Sequence, residues 1–524
     1  GPPPPPTPIA VLSPPAVPAD AATGAAAGES TAGPVAVDPT SGTLLASTDF
    51  DIATDSFAFA NYGDELRDDG SVRRNLDPAQ VWALYGDEVC ARTEPDGSCA
   101  LDAIAEVTMD ILNGSMDGGH CFGMAALAWL LHSGQVDPRT LGASSASGIP
   151  SGAPVEALIA RYFAAQAGDP TTSSKRTLSV ADTIRALQDA WSRGDNFVLA
   201  FYDGPAHNSG HGVTPIALRQ LDDGRVGIVL YDNNFPQQQT MMVTDPARDT
   251  WEYTTRADPR DSSYLFVGSP ENRLNLYPVG TIAEQQVCPV CRTVGDDDSV
   301  LVLINDRSNG NATWDLEVTD AFGAPIDAVD KTDALDNANS QLIAVDTAEP
   351  VRIRLSEVPE GQRAQLDIAV LSDGWVGRVS GAELEHDEHA VLHADAGRGR
   401  LSWNSSDAGA PVVSVAGQRG DVSVRTAFTG VELDADGTVT VTSDPRTGAV
   451  TLTTDESLPS QLTVAAKRTD ADRDVVAATG TPLSVAGDEG VVVHWGDWSG
   501  GGPLRLDLTA PDGSVRATVG VPLA

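Results

Sequence analysis

The sequence predicts an α+β unit followed by all-β sandwich domains. Three observations carry this prediction. Helical periodicity is confined to the first two fifths of the chain. A run of apolar strand-like segments follows it. After Asp296-Asp297-Asp298 helical signals almost vanish, and short alternating segments separated by Asp/Gly turns take over. With 524 residues the chain exceeds one compact core, so several domains are expected.

Residues 1–44 are Pro- and Ala-rich without apolar periodicity and read as an extended linker. No leader is visible. The Pro/Ala/Thr-rich opening, followed by β-domains, suits a processed protein that is secreted or held at the cell surface. Residues 45–294 form the α+β unit. Asp77 and Pro78 open a helix running to about Cys90. Leu101–Leu112 is a second helix. Cys121–His132 is apolar on all sides, which predicts a buried helix that Gly134 ends. Val155–Ala167 and the amphipathic Val180–Ser192 complete the helices. Phe197–Tyr202, His211–Gln220, Val226–Asp232 and Thr240–Thr244 are the strands, with Asp222-Asp223-Gly224 turning the second into the third. Residues 295–410 and 411–524 are then two antiparallel, immunoglobulin-like β-sandwiches.

Charge narrows the function classes. The chain carries 74 acidic against 33 basic side chains, a formal net charge of −41. Such a field disfavours nucleic acid and anionic membrane surfaces, and no segment is long and apolar enough to insert in a bilayer. The five cysteines are unevenly distributed. Cys90 and Cys99 bracket a Pro95-Asp96-Gly97 turn, the layout of a small disulfide. Cys288 and Cys291 form a second close pair, bridged or reduced. Cys121 is left alone, either a buried core thiol or a reactive one.

The surroundings of Cys121 favour chemistry. Met116-Asp117-Gly118-Gly119-His120 delivers it to the first turn of the buried helix. There the unpaired N–H groups and the helix dipole favour a thiolate and offer donors to an oxyanion. About 90 residues later, Ser209-Gly210-His211-Gly212-Val213 places a glycine on each side of a histidine that starts a strand. The hairpin through Asp222–Gly224 returns the end of the next strand, Tyr231-Asp232-Asn233, beside His211. Asp232 or Asn233 is thus positioned to orient the imidazole toward Cys121.

In these segments the chain resembles the papain-like cysteine peptidase superfamily. Gly119-His120-Cys121-Phe122-Gly123-Met124-Ala125 is similar to that family's Gly-Ser-Cys-Trp-Ala-Phe-Ala, and His211-Gly212-Val213 to its His-Ala-Val. The resemblance spans about residues 45–285. It implies a papain-like catalytic domain that acts on a protein or peptide through an acyl-enzyme intermediate. Cys121 would be the nucleophile, His211 the base and acid, and Asp232, ahead of Asn233, the orienting group. The family's oxyanion-hole Gln, six residues before the cysteine, is replaced by Ser115. Ser115, Asn113 or backbone N–H groups are the substitutes the sequence offers. A transglutaminase-like acyltransferase shares the order Cys, His, Asp. A third reading is an inactive papain-like domain in a protein whose sandwiches bind a cell-surface ligand.

Other features read as structural. His120 points elsewhere along its turn, and His132 and His207 are surface groups. Cys288-Pro289-Val290-Cys291 lacks the partners of a zinc site. His386, His389 and His393 are a loose cluster on a solvated face. Asp434-Ala435-Asp436-Gly437 is a hairpin turn without the remaining ligands of a calcium loop. Trp375, Trp495 and Trp498 either line a carbohydrate surface or pack inside. No organic cofactor and no metal are implied.

Overall fold

A computed structural model describes residues 35–63, 73–116, 118–202, 210–257, 265–288, 299–306, 314–326, 328–330, 340–346, 349–372, 374–419, 422–455, 459–470 and 474–524. The linker expected before residue 35, Asp117, His207, Ser209, Cys291 and Asp296–Asp298 lie outside them. The end of the expected linker is ordered differently from the sequence reading. Ala36 N–H donates to Arg256 O, and Thr43–Ser47 (β1) pairs with residues 217–220 of the sheet along a stretch of strand edge left open there.

The first unit begins with helices whose starts follow from their caps. Asp77 caps Pro78–Tyr85 (α1), and Asp102 caps Ala103–Ser115 (α2). Leu101, expected in the second helix, belongs instead to a hairpin strand, Cys99–Leu101, which the Cys90–Cys99 disulfide ties to its partner. Cys121–His132 (α3) is apolar all round and buried from Phe122 to Leu131. Ala153–Ala164 (α4) packs closely on it. A Cβ at Gly123 would sit 2.0 Å from Ile159 O, so only glycine permits this approach. Val180–Trp191 (α5), capped by Ser179, completes the longer helices.

The four expected strands sit within a nine-stranded antiparallel sheet. Its strands are β1, Arg176–Leu178 (β2), Phe197–Tyr202 (β3), Gly210–Gln220 (β4), Val226–Tyr231 (β5), Gln239–Asp245 (β6), Thr250–Thr254 (β7), Leu265–Gly268 (β8) and Leu274–Pro278 (β9). The spatial order is β8-β7-β6-β5-β4-β3-β9-β2, with β1 also on β4. One face packs on α3 and α4, while α5 covers a second core formed with β3, β4, β5, β6 and β7. Central β4 therefore runs between two apolar layers, and it carries His211 at its start.

The C-terminal half consists of two antiparallel sheets of ten and nine strands that enclose one apolar core. No gap falls at the expected boundary between residues 410 and 411. Trp375–Leu384 pairs with Val412–Arg419 in one sheet, and Arg400–Ser405 pairs with Thr438–Asp444 in the other. The alternation seen in the sequence assigns each side chain to a face, but both sheets continue across that point. Trp375, Trp495 and Trp498 are buried in this core, not displayed on a surface. Asp434–Gly437 makes a turn, with Gly437 N–H donating to Asp434 O.

The two halves meet at α2. Leu301, Leu303, Ala369, Leu371, Val376 and Ala416 from the outer face of the ten-stranded sheet join the core beneath it. Asp110 receives Arg378 at 3.2 Å and Arg425 at 2.8 Å, and Glu106 pairs with Lys467. Among the described residues no helix is long and apolar enough to cross a membrane.

Candidate active site

Cys121 is the first residue of α3 and is partly exposed. The N-caps of α1, α2 and α5 use a side-chain oxygen; that of α3 does not. Its N-cap is His120, whose ring turns away: Nδ1 meets Tyr62 O and Nε2 meets Asn75 Oδ1, each at 2.7 Å. Tyr62 stacks on that ring at 4.4 Å, and the Arg73 guanidinium lies over Tyr62. The helix start is thereby left to Cys121. The Gly212 N–H donates to Cys121 Sγ at 3.3 Å, and the N–H of Phe122 also points to the sulfur.

His211 is buried beside Cys121, with the N–H of the next residue, Gly212, on the sulfur. Its Nε2 faces Asp232 Oδ1 at 2.7 Å, which leaves Nδ1 for the thiol. Phe201 meets the ring edge-on. Gly212 allows close approach, since a Cβ there would stand 3.0 Å from Phe122 Cα, tighter than an ordinary contact.

Asp232 and Asn233 follow β5 at the start of a turn closed by Phe235 N–H donating to Asp232 O at 2.9 Å, and their side chains serve different tasks. Asp232 is wholly buried. Besides His211, it accepts from the Asn234 N–H at 2.8 Å and from the Tyr253 hydroxyl. Asn233 Nδ2 donates to Cys121 O at 3.0 Å and Gly212 O at 2.9 Å, pinning the helix start to β4. The orienting group in this arrangement is Asp232; Asn233 is a clamp between the two elements.

The electrostatics follow from these contacts. Burial disfavours the Cys121 thiolate, but the His211 hydrogen bond and charge, then the N–H groups of Gly212 and Phe122, outweigh it and lower the thiol pKa. Burial likewise opposes the His211 imidazolium. The charge and hydrogen bond of Asp232, followed by those of Cys121, push it up to about 10. Asp232 is held below the usual carboxylate range: burial works against it, and His211, Tyr253 and Asn234 prevail. A thiolate, an imidazolium and a carboxylate are thus mutually stabilised, and such an arrangement can attack an electrophilic carbon.

Two residues expected near the oxyanion position are occupied elsewhere. Ser115 Oγ donates to Leu112 O, and both ends of the Asn113 amide bond the Leu76 backbone. Asn61 lies at the Cys121 turn instead. Its N–H donates to Asn233 O and its Oδ1 accepts from His120 N–H at 2.7 Å. Its Nδ2 stands 2.9 Å from where a Gly119 Cβ would be. Neither Asn61 nor Tyr253 carried a local sequence signal, because each reaches the site from a segment remote in the chain.

His132, expected at the surface, is largely enclosed, with its nitrogens at 2.7 Å from Asp55 and 3.0 Å from Asp49. Cys288 is disulfide-bonded. Among the described residues no three His, Cys, Asp or Glu side chains converge on a metal position, so His386, His389 and His393 form no ligand set. A scan against protein-family models, a search of curated proteins and a search of solved structures each returned no match to this chain.

Proposed function

We propose that the chain is a cysteine hydrolase acting on amide bonds of a protein or peptide. One observation carries this reading: at an uncapped helix start the Cys121 thiol, held by the Gly212 N–H at 3.3 Å, stands beside the His211 imidazole, whose Nε2 faces Asp232 Oδ1 at 2.7 Å. The resemblance to papain-like peptidases agrees with it. The Cys90–Cys99 disulfide suits a secreted or surface location, outside the reducing cytosol.

In the proposed reaction the Cys121 thiolate forms a C–S bond to the substrate carbonyl carbon, and the π electrons move to the oxygen. The Cys121 N–H and Asn61 Nδ2 are the proposed donors to that oxyanion. Collapse of the adduct breaks the C–N bond, and the His211 imidazolium protonates the departing amine. Neutral His211 then takes a proton from water as its oxygen attacks the thioester. The acid leaves and the thiolate–imidazolium pair is restored.

A peptide library read by mass spectrometry tests this. Cleavage by the parent protein should fall by at least about 10³-fold in Cys121→Ala with its circular dichroism unchanged. Undiminished cleavage in that variant would sink the proposal. A product bearing an added amine in place of water would redirect it to acyl transfer.

A further inference from the structure

The outer face of the nine-stranded sheet in the C-terminal half bears a groove of about 540 Å³. Cross-strand register builds it. Arg352 stands directly opposite His393, His393 opposite Ser402, and Ser402 opposite Thr440, so the four side chains form one row over four strands. Arg400, two residues from Ser402, is diagonal to His393. Arg398 completes the basic lining and is paired with Asp395 at 3.1 Å.

The charge of this groove runs against the rest of the chain. Acidic side chains outnumber basic ones 74 to 33, so a guanidinium readily finds a carboxylate. Arg92, Arg225, Arg273, Arg378 and Arg516 each do. Among the described residues other arginines, Arg354, Arg419 and Arg446 among them, form no ion pair, but of such arginines Arg352 and Arg400 are the two that line this groove. The local field reaches His393, whose pKa is lowered by burial and then by the charges of Arg352 and Arg400. Beyond Arg352 on the neighbouring edge strand, Thr319 is 1 % exposed, and its hydroxyl has no hydrogen-bond partner among the described residues. Two guanidinium forks without ion pairs, beside the mutually bonded hydroxyls of Ser402 and Thr440 (2.8 Å), are a donor set that planar or tetrahedral oxyanions take. The volume is that of a small-molecule site.

We infer that this groove binds a small ligand through an oxyanion group, a phosphate or a carboxylate, held between Arg352 and Arg400. The inference stands apart from the chemistry at Cys121 and does not require it.

Calorimetric titration of the whole chain with inorganic phosphate, and separately with citrate, at low ionic strength tests it. His393 ring resonances, followed by NMR, locate the binding. Saturable binding of either anion that shifts His393 is expected. Phosphate alone would identify a phosphate-bearing ligand, citrate alone a carboxylate, and both an oxyanion in general. Arg352→Gln and Arg400→Gln should each weaken binding about tenfold, and the double variant should lose it. Arg446→Gln, on a hairpin elsewhere, should leave it unchanged. No saturable binding of either anion, or binding that survives the double substitution, would overturn the inference.

Discussion

The two halves bury different things. In the C-terminal half one large core of aliphatic and aromatic side chains lies between the sheets, and its buried polar groups, such as Asp367, Thr426 and Asp507, are dispersed over both of them. In the N-terminal half, apolar layers enclose His120, Glu156, His211, Asp232 and Asn233, each tied by hydrogen bonds. Burying such groups costs stability unless every one is paired. The first half gathers buried polar groups into a network at a helix start, whereas the second half scatters them along its strands. The second half meets the first through α2 and spreads its buried polar groups, Asp367 and Asp507 among them, over both sheets.

Changes at the network should therefore act on reactivity and those at the packing on stability alone. The largest effect is expected from Asp232→Asn, which keeps the shape but removes the charge opposing His211 burial. Turnover should fall about 10²- to 10⁴-fold, and rapid iodoacetamide alkylation of Cys121 should retreat toward the ordinary thiol range near 9.0. The parent should remain reactive well below that pH. His211 has its pKa raised from 6.5 to about 10, so its contribution to stability is full below 6.5 and is lost as pH rises through about 10. Asp232, lowered from 3.8, contributes above that value and loses its effect as pH falls through its folded pKa. Denaturant midpoints across pH should show a plateau between these limits that Asp232→Asn flattens.

Gly123→Ala attacks packing instead. The added methyl meets Ile159 O and must part α3 from α4, at a cost of about 3 kcal/mol. Thermal unfolding should show the N-terminal transition fall while that of the β half stays; a common shift of both would show that the halves unfold as one. Tyr253→Phe should cost about 2 kcal/mol by removing one donor to the buried Asp232 carboxylate. Its telltale sign is a narrower pH range of Cys121 alkylation, which a packing defect alone would not produce. Asp110→Asn, at the partly exposed junction, should cost about 1 kcal/mol and leave alkylation at Cys121 untouched.

How much of this was legible in the sequence depends on range. The apolar stretch Cys121–His132 marks its helix to the residue, and the Asp222–Gly224 turn brings Asp232 and Asn233 back to His211. The hairpin sets which residues return and not which side chain turns to the ring, so only the family resemblance put Asp232 ahead of Asn233. Leu101 was misplaced because an apolar residue next to a helix reads the same in a strand. The strands at residues 43–47, 176–178, 250–254, 265–268 and 274–278 escaped notice. They are short and owe their place to neighbours already in the sheet.

The sequence by itself determined where thiol, imidazole and carboxylate occur, that helices precede strands, and which faces of the later strands are apolar. Those are local properties of spacing and period. The tertiary structure alone decided the rest. It turned the Asp232 side chain to the ring and brought Tyr253 and Asn61 to the network. It also turned two expected sandwiches into two continuous sheets and aligned Arg352, His393 and Ser402 across strands. Each of those outcomes is a pairing between residues far apart in the chain, and no local pattern encodes the partner.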